Sequence, residues 1–142
     1  MAGTPSILLV EDDETDVLLF EQATKRAGVA WNVNVARDGV EAMEYLRGEG
    51  NFAGSPRPHL ILLDWKMPRK DGRAVLGEIR ADPVLGSIPT IVFTSSDAPD
   101  DVVQAYRLGA NCYVRKPSDL THLKALVKAI DNFWVKTVTF AY

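Results

Sequence analysis

Asp64 closes the run Leu60-Ile61-Leu62-Leu63, and a carboxylate delivered by consecutive aliphatic residues is held at the rim of a sheet. An unbroken apolar run reads as a strand buried on both faces, because a half-buried strand would alternate apolar with polar. Pro68 and the Asp71-Gly72 pair supply turn chemistry just beyond it, so Asp64 faces whatever binds at that rim. Ile7-Leu8-Leu9-Val10 runs in the same way into Glu11-Asp12-Asp13. If the two strands are parallel neighbours, these carboxylates meet at one edge, and such a cluster repels itself unless a cation or proton joins it. Thr94, after Thr90-Ile91-Val92-Phe93, and Lys116, after Cys112-Tyr113-Val114 and before Pro117, complete the set with a hydroxyl and an ammonium.

The elements that must position these groups are legible in the spacing. Asp13-x-x-Asp16 can cap a helix running to Gly28, with Val17, Phe20, Ala23 or Thr24, and Ala27 on one face. Trp31, Val33 and Val35 alternate with Asn32 and Asn34, the pattern of an edge strand. Asp38-x-x-Glu41 fits a capping box for a helix through Val40, Met43 and Leu46 that ends near Gly48. The glycine- and proline-rich stretch from Gly48 to Pro58 reads as a surface loop on the face away from the acids. Val75, Leu76 and Ile79 mark a third helix that stops by Asp82-Pro83. Pro99 suits the first turn of a fourth, which carries Val102, Val103 and Tyr106 before Gly109. Ser118 is the predicted cap of a fifth, with Leu123, Leu126, Val127, Ile130 and Phe133 at helical spacing. Alternating strands and helices with right-handed crossovers make an α/β fold: a doubly wound, five-stranded parallel sheet with five helices on its two sides.

Composition bounds the function classes. A chain of 142 residues suits one domain, and its 46% hydrophobic and 25% charged residues are those of a globular protein. A formal charge of −3 argues against a nucleic-acid binder, which needs a basic face. Cys112 is the single cysteine and sits in a strand pattern, as a small buried residue without a disulfide or metal. No run approaches the ~18 apolar residues of a membrane span, and the first six residues do not make a signal peptide, so the expected setting is cytoplasmic with no membrane partner. His59 and His122 have no acidic or cysteine cluster at ligand spacing and read as ordinary surface or strand-end residues. Trp65 reads as an aromatic lining the site.

Each motif alone has an ordinary explanation: a Lys-Pro is a strand-to-helix turn, a Thr after a strand is a cap, and a run of acids is a solvated terminus. Taken together and in order, Glu11-Asp12, Asp64 in LLDWKMPRKDG, Thr94 in VFTSS, Tyr113 and Lys116-Pro117 resemble the receiver domain of two-component response regulators. The resemblance runs from about Ile7 to about Phe133, so that residues 1–133 are expected to form a receiver domain and 134–142 a C-terminal extension, with no separate output domain. It implies the flavodoxin-like strand order 2-1-3-4-5, which makes strands one and three neighbours. It also implies that Asp64 accepts a phosphoryl group from a sensor histidine kinase. Glu11, Asp12, Asp64 and the backbone carbonyl of Lys66 would then hold Mg²⁺. Thr94 and Lys116 would contact the phosphoryl oxygens, with a cis Lys116-Pro117 bond, and Thr94 and Tyr113 would form the switch. Such a protein is a phosphoacceptor in signalling and not an enzyme in its own right.

Two rival readings carry less. An aspartate-nucleophile phosphohydrolase resembles a DxD pattern whose second aspartate is the general acid, and Lys66 stands there. An unphosphorylated pseudo-receiver, used only as a binding module, sits badly with a full set of site residues. RPHLILLDWKMPRKDGR, SSDAPDD, ANCYVRKPSDL and a helix ending NFW are further similar to the single-domain regulators paired with phytochrome-type kinases. Downstream, a phosphotransfer or effector protein is implied. The segment from Trp134 to Tyr142 is rich in β-branched and aromatic residues; as a strand it places Trp134, Val138, Phe140 and Tyr142 on one face. With helix four, strand five and helix five, that face is the expected homodimer interface.

Overall fold

Three apolar, buried strands flanked by two partly exposed ones build the sheet on which everything else rests. The computed structural model describes residues 4–141. Its strands are β1 (Ser6–Val10), β2 (Asn32–Ala36), β3 (Leu60–Leu63), β4 (Thr90–Thr94) and β5 (Cys112–Arg115), and its α-helices are α1 (Glu14–Ala27), α2 (Gly39–Arg47), α3 (Gly72–Ala81), α4 (Pro99–Arg107) and α5 (Leu120–Ile130). All strand pairs are parallel, in the order β2-β1-β3-β4-β5. β1, β3 and β4 are buried throughout, while β2 and β5, with neighbours on one side only, are partly exposed. This is the flavodoxin-like receiver arrangement, and it sets Val10 opposite Leu63 so that Glu11 and Asp64 emerge side by side.

Period-two alternation divides the strand side chains between two cores. Leu8, Val10, Ile61, Leu63 and Val92 pack with Met43 of α2, Leu76 and Ile79 of α3, and Ala105 of α4. Ile7, Leu9, Leu60, Leu62, Ile91 and Phe93 pack with Phe20 of α1 and with Leu123, Val127 and Ile130 of α5. The helix starts follow their cap residues. The Asp13 carboxylate accepts from the amides of Thr15 and Asp16, that of Asp38 from Glu41, and that of Asp71 from Ala74. Glu41 reaches back to the Arg37 amide, which closes the capping box one residue earlier than its usual partner. Pro99 occupies the first turn of α4.

Three expectations need correction. α5 is capped by Asp119 and not by Ser118: the Asp119 carboxylate accepts from the amide of His122 at 2.8 Å, the register in which its oxygen reaches the third helical residue. The stretch after α2 is a loop, as expected, within which Gly50–Phe52 form a 3₁₀ turn that sets the Phe52 ring edge-on to Tyr45, 5.5 Å between centroids. Cys112 is only partly buried, on an edge strand.

The third correction concerns the chain beyond α5, which is no strand. Asp131–Val135 continue as a π-helical turn. Asp131 is buried there, accepts from the Trp31 indole at 2.8 Å and pairs with Lys136 at 3.1 Å. Trp134 packs on the α1/α5 core, and the Phe140 ring lies 5.2 Å from that of His59. A buried carboxylate that needs two partners turns this tail back on its own domain. Tyr142 lies outside the described residues. Among the described residues no helix is long and apolar enough to cross a membrane.

Candidate phosphoacceptor site

The C-terminal ends of β1, β3, β4 and β5 present the site, at the rim where parallel strands leave the sheet. The backbone ladder runs past the strand ends. Asp64 N–H donates to the Val10 carbonyl at 3.0 Å, Glu11 N–H to Ala36 at 2.9 Å, and Lys116 N–H to Thr94 at 2.8 Å. These bonds place Glu11, Asp64, Thr94 and Lys116 on one rim, as their positions at the ends of apolar runs require. Carboxylate oxygens of Glu11, Asp12 and Asp64 lie within 4.8 Å of one another and could hold a metal ion. Asp12 is exposed, whereas Glu11 and Asp64 are buried.

Lys116 is the cation of this cluster. Its ammonium sits on Glu11 Oε2, 2.9 Å from Asp16 Oδ2 and 3.4 Å from Asp64 Oδ2, with the Phe93 ring centroid 6.0 Å away. Burial pushes the Glu11 carboxyl up and the neighbouring Asp64 charge adds to this, so that despite the Lys116 contact it reaches about 7. Burial would lower the Lys116 ammonium, but its hydrogen bonds to Glu11 and Asp16 and the Asp64 charge outweigh that and raise it. The lysine is therefore locked in its charged form. Asp64 Oδ1 accepts from the Trp65 amide at 2.7 Å, which fixes the carboxylate's orientation. The Lys116-Pro117 bond is not cis; no cis peptide bond occurs among the described residues, and the β4–β5 ladder carried through to Lys116 brings its side chain to the acids without one.

Thr94 is fully buried at the end of β4, where its hydroxyl accepts a 3.5 Å contact from the Ser96 amide. The Tyr113 ring points inward, its hydroxyl donating to the Ser96 carbonyl at 2.8 Å, and the Tyr106 hydroxyl accepts from the Tyr113 amide at 3.1 Å. Lys66 extends to α4, with Nζ 3.5 Å from Asp101 Oδ2, an oxygen that also accepts from the Ser96 hydroxyl at 2.6 Å. Trp65 is buried and lines a cavity of about 310 Å³ with Lys66, Met67, Asp71, Asp101 and Gln104. His122 is exposed and paired with Asp119, and the His59 ring accepts from the Ser6 amide at the opposite end of the sheet.

Three contributors escaped the sequence reading. Asp16 reads as a first-turn helix residue, and only the fold brings it to Lys116. Ser96 and Asp101 carried one available signal, a hydroxyl and an acid flanking the predicted start of α4.

The response regulator receiver domain family matches residues 7–128 of the chain. Response regulator Rcp1 of Synechocystis sp. is 44% identical over 133 residues, which are 94% of this chain and 90% of that protein. The crystal structure of the phosphorylated cyanobacterial phytochrome response regulator RcpA superposes with a TM-score of 0.92 at 44% identity, covering 99% of this chain and 100% of the other. The Mn²⁺-bound form of response regulator Rcp1 gives 0.88 at 43% identity, covering 97% and 99%. With its acid cluster, its lysine and its sheet order in place, the chain belongs to the response regulator receiver family and is related to the phytochrome response regulators.

Proposed function

We propose that this receiver takes a phosphoryl group from a sensor histidine kinase onto Asp64 in a Mg²⁺-dependent reaction. The observation that carries this reading is the convergence of Lys116 with Asp64 beside the Glu11, Asp12 and Asp64 oxygens. Phosphoryl transfer depends on positioning and charge neutralisation, and this rim supplies both. The donor set fits a hard divalent cation: the oxygens are carboxylates and they are mutually close, with the Glu11 carboxyl raised first by burial and further by the Asp64 charge. Glu11, Asp12, Asp64 and the Lys66 carbonyl would hold the cation, which when bound neutralises charge between the nucleophile and the incoming phosphoryl oxygens. Asp64 forms the O–P bond as the donor's N–P bond breaks. Lys116 and Thr94 receive phosphoryl oxygens, and the Trp65 amide keeps Asp64 oriented.

The readout is a shift between two states. Thr94 drawn to the phosphoryl group moves the β4–α4 segment whose Ser96 carbonyl holds Tyr113, so α4, β5 and α5 change together. Val103 and Tyr106 on α4 and Phe133 beyond α5 are exposed, and we place a homodimer contact or an effector there. The likeness to phytochrome regulators supports a phytochrome-type kinase as donor.

A small phosphodonor such as phosphoramidate, with Mg²⁺, is expected to add one phosphoryl group, and Asp64→Asn to abolish the labelling. Labelling that survives in Asp64→Asn, or in excess chelator, would sink the assignment. Equal transfer rates from a phytochrome kinase and an unrelated kinase would remove the phytochrome pairing alone.

A further inference from the structure

Arg69 adopts φ +64°, the one positive φ outside glycine among the described residues. The Lys70 amide donates to the Pro68 carbonyl at 2.8 Å, two residues back, so Arg69 is the centre of a γ-turn of the rare, strained hand. Such a backbone persists only when its surroundings over-determine it, and glycine would adopt it at no steric cost. The side chain accounts for the presence of arginine. Its Nε lies 2.8 Å from Asp38 Oδ2 and an Nη 3.0 Å from Asp38 Oδ1, a two-pronged pair with a carboxylate that is largely buried and also caps α2.

This pair sits on the loop that carries the reaction. Residues 64–72 are wedged between α2 and α3: a Cβ on Gly39 would stand 2.0 Å from the Lys70 carbonyl oxygen, and one on Gly72 would stand 2.2 Å from that of Asp64. The Lys70 ammonium is held by Glu78 of α3. On the α2 side, the fork between Arg69 and Asp38 is the corresponding tie. An ion pair whose arginine is exposed contributes little to stability, so its effect is to be sought in where the loop sits.

We infer that Arg69 and Asp38 are positioning residues, a clamp that holds the β3–α3 loop in the strained turn so that Asp64 and Lys66 stay placed for the divalent cation. The inference rests on the phosphoacceptor reading above, and it separates two effects that usually travel together. Arg69→Gly relieves the backbone strain while releasing the loop. Its metal-free unfolding temperature is expected to be unchanged or higher, while its Kd for Mn²⁺, read from tryptophan fluorescence with Trp65 beside the site, rises about tenfold, the size of effect known for residues that orient metal ligands. Asp38→Asn keeps an acceptor for the Glu41 amide and is expected to share the loss. Arg69→Lys, with one prong, falls between. The double variant Arg69→Gly, Asp38→Asn binds no more weakly than either single one, because both act through one contact. An unaltered Mn²⁺ affinity in Arg69→Gly overturns the inference, as does a fall that merely tracks a fall in unfolding temperature or that Asp38→Asn does not share. Wild-type protein that binds no Mn²⁺ overturns the clamp and the phosphoacceptor reading together; wild-type binding with normal labelling leaves any failure to the clamp alone.

Discussion

Lys116 stands among three acids that would repel one another without it, so its removal separates folding from cation binding. In Lys116→Met the buried Glu11 and Asp64 lose their shared partner, and metal-free stability is expected to fall by about 3 kcal/mol, as when one member of a buried pair is deleted. Added Mg²⁺ then raises the melting temperature of the variant more than that of the wild type, which calorimetry at matched cation concentrations checks. At the far end of β3, burial lowers His59 from its usual 6.5, and its Nδ1 already accepts from Ser6, so the folded ring binds protons less readily than the unfolded one. Its contribution is full above about 6.5 and falls as the pH drops through that value towards the folded pKa. Between about pH 7.5 and 5.5 the wild-type urea midpoint is expected to fall relative to that of His59→Phe, a difference that removes the opposite contribution of the raised Glu11 carboxyl, which both proteins share. Glu11, Asp12, Asp64, Thr94 and Lys116 were legible because each ends or follows an apolar run. Arg69 was not, since nothing about an arginine announces a left-handed backbone.

Helices and strands were read correctly wherever burial dictates a period, and the differences fall where a single polar group decides. Ser118 and Asp119 are both good caps, and only the register of the His122 amide chooses between them. The tail's aromatic and β-branched residues favour a strand, yet Asp131, buried under Trp31, imposes a helical turn. Arg80 of α3 is a further case. Its guanidinium donates to the carbonyls of Gly109, Gly86 and Ile88 and to the Asn111 side chain, tying α3 to the segments that enter β4 and β5. Arg80→Met leaves the Gly109 and Gly86 carbonyls without this donor, while the Ile88 carbonyl and the Asn111 side chain keep Thr90, and is expected to cost about 2 kcal/mol in chemical denaturation, with phosphodonor labelling of Asp64 retained because the network lies at the opposite end of the sheet.

For the molecule as a whole, sheet order and helix sides followed from alternation and crossover handedness, whereas association did not, because the tail that suggested a partner strand spends Trp134 and Phe140 on its own domain. If α4, β5 and Phe133 form the dimer contact, light scattering at high micromolar concentration is expected to give twice the monomer mass. Chain shortened after Phe133 stays a dimer, since Trp134 and Phe140 pack on their own domain; a monomeric full-length protein, phosphorylated or not, removes the dimer. The arrangement of the sheet also bears on timing. β3, which delivers Asp64, is paired on both sides and covered on both faces, while β5, which carries Tyr113, has a single neighbour. Amide protons of Ile61 to Leu63 are therefore expected to exchange with deuterium only through global opening, and those of β5 through local fraying. If Asp64 is the phosphoacceptor, a mark made on a strand that opens only with the whole fold is displayed on one of the two edge strands, which can open by themselves.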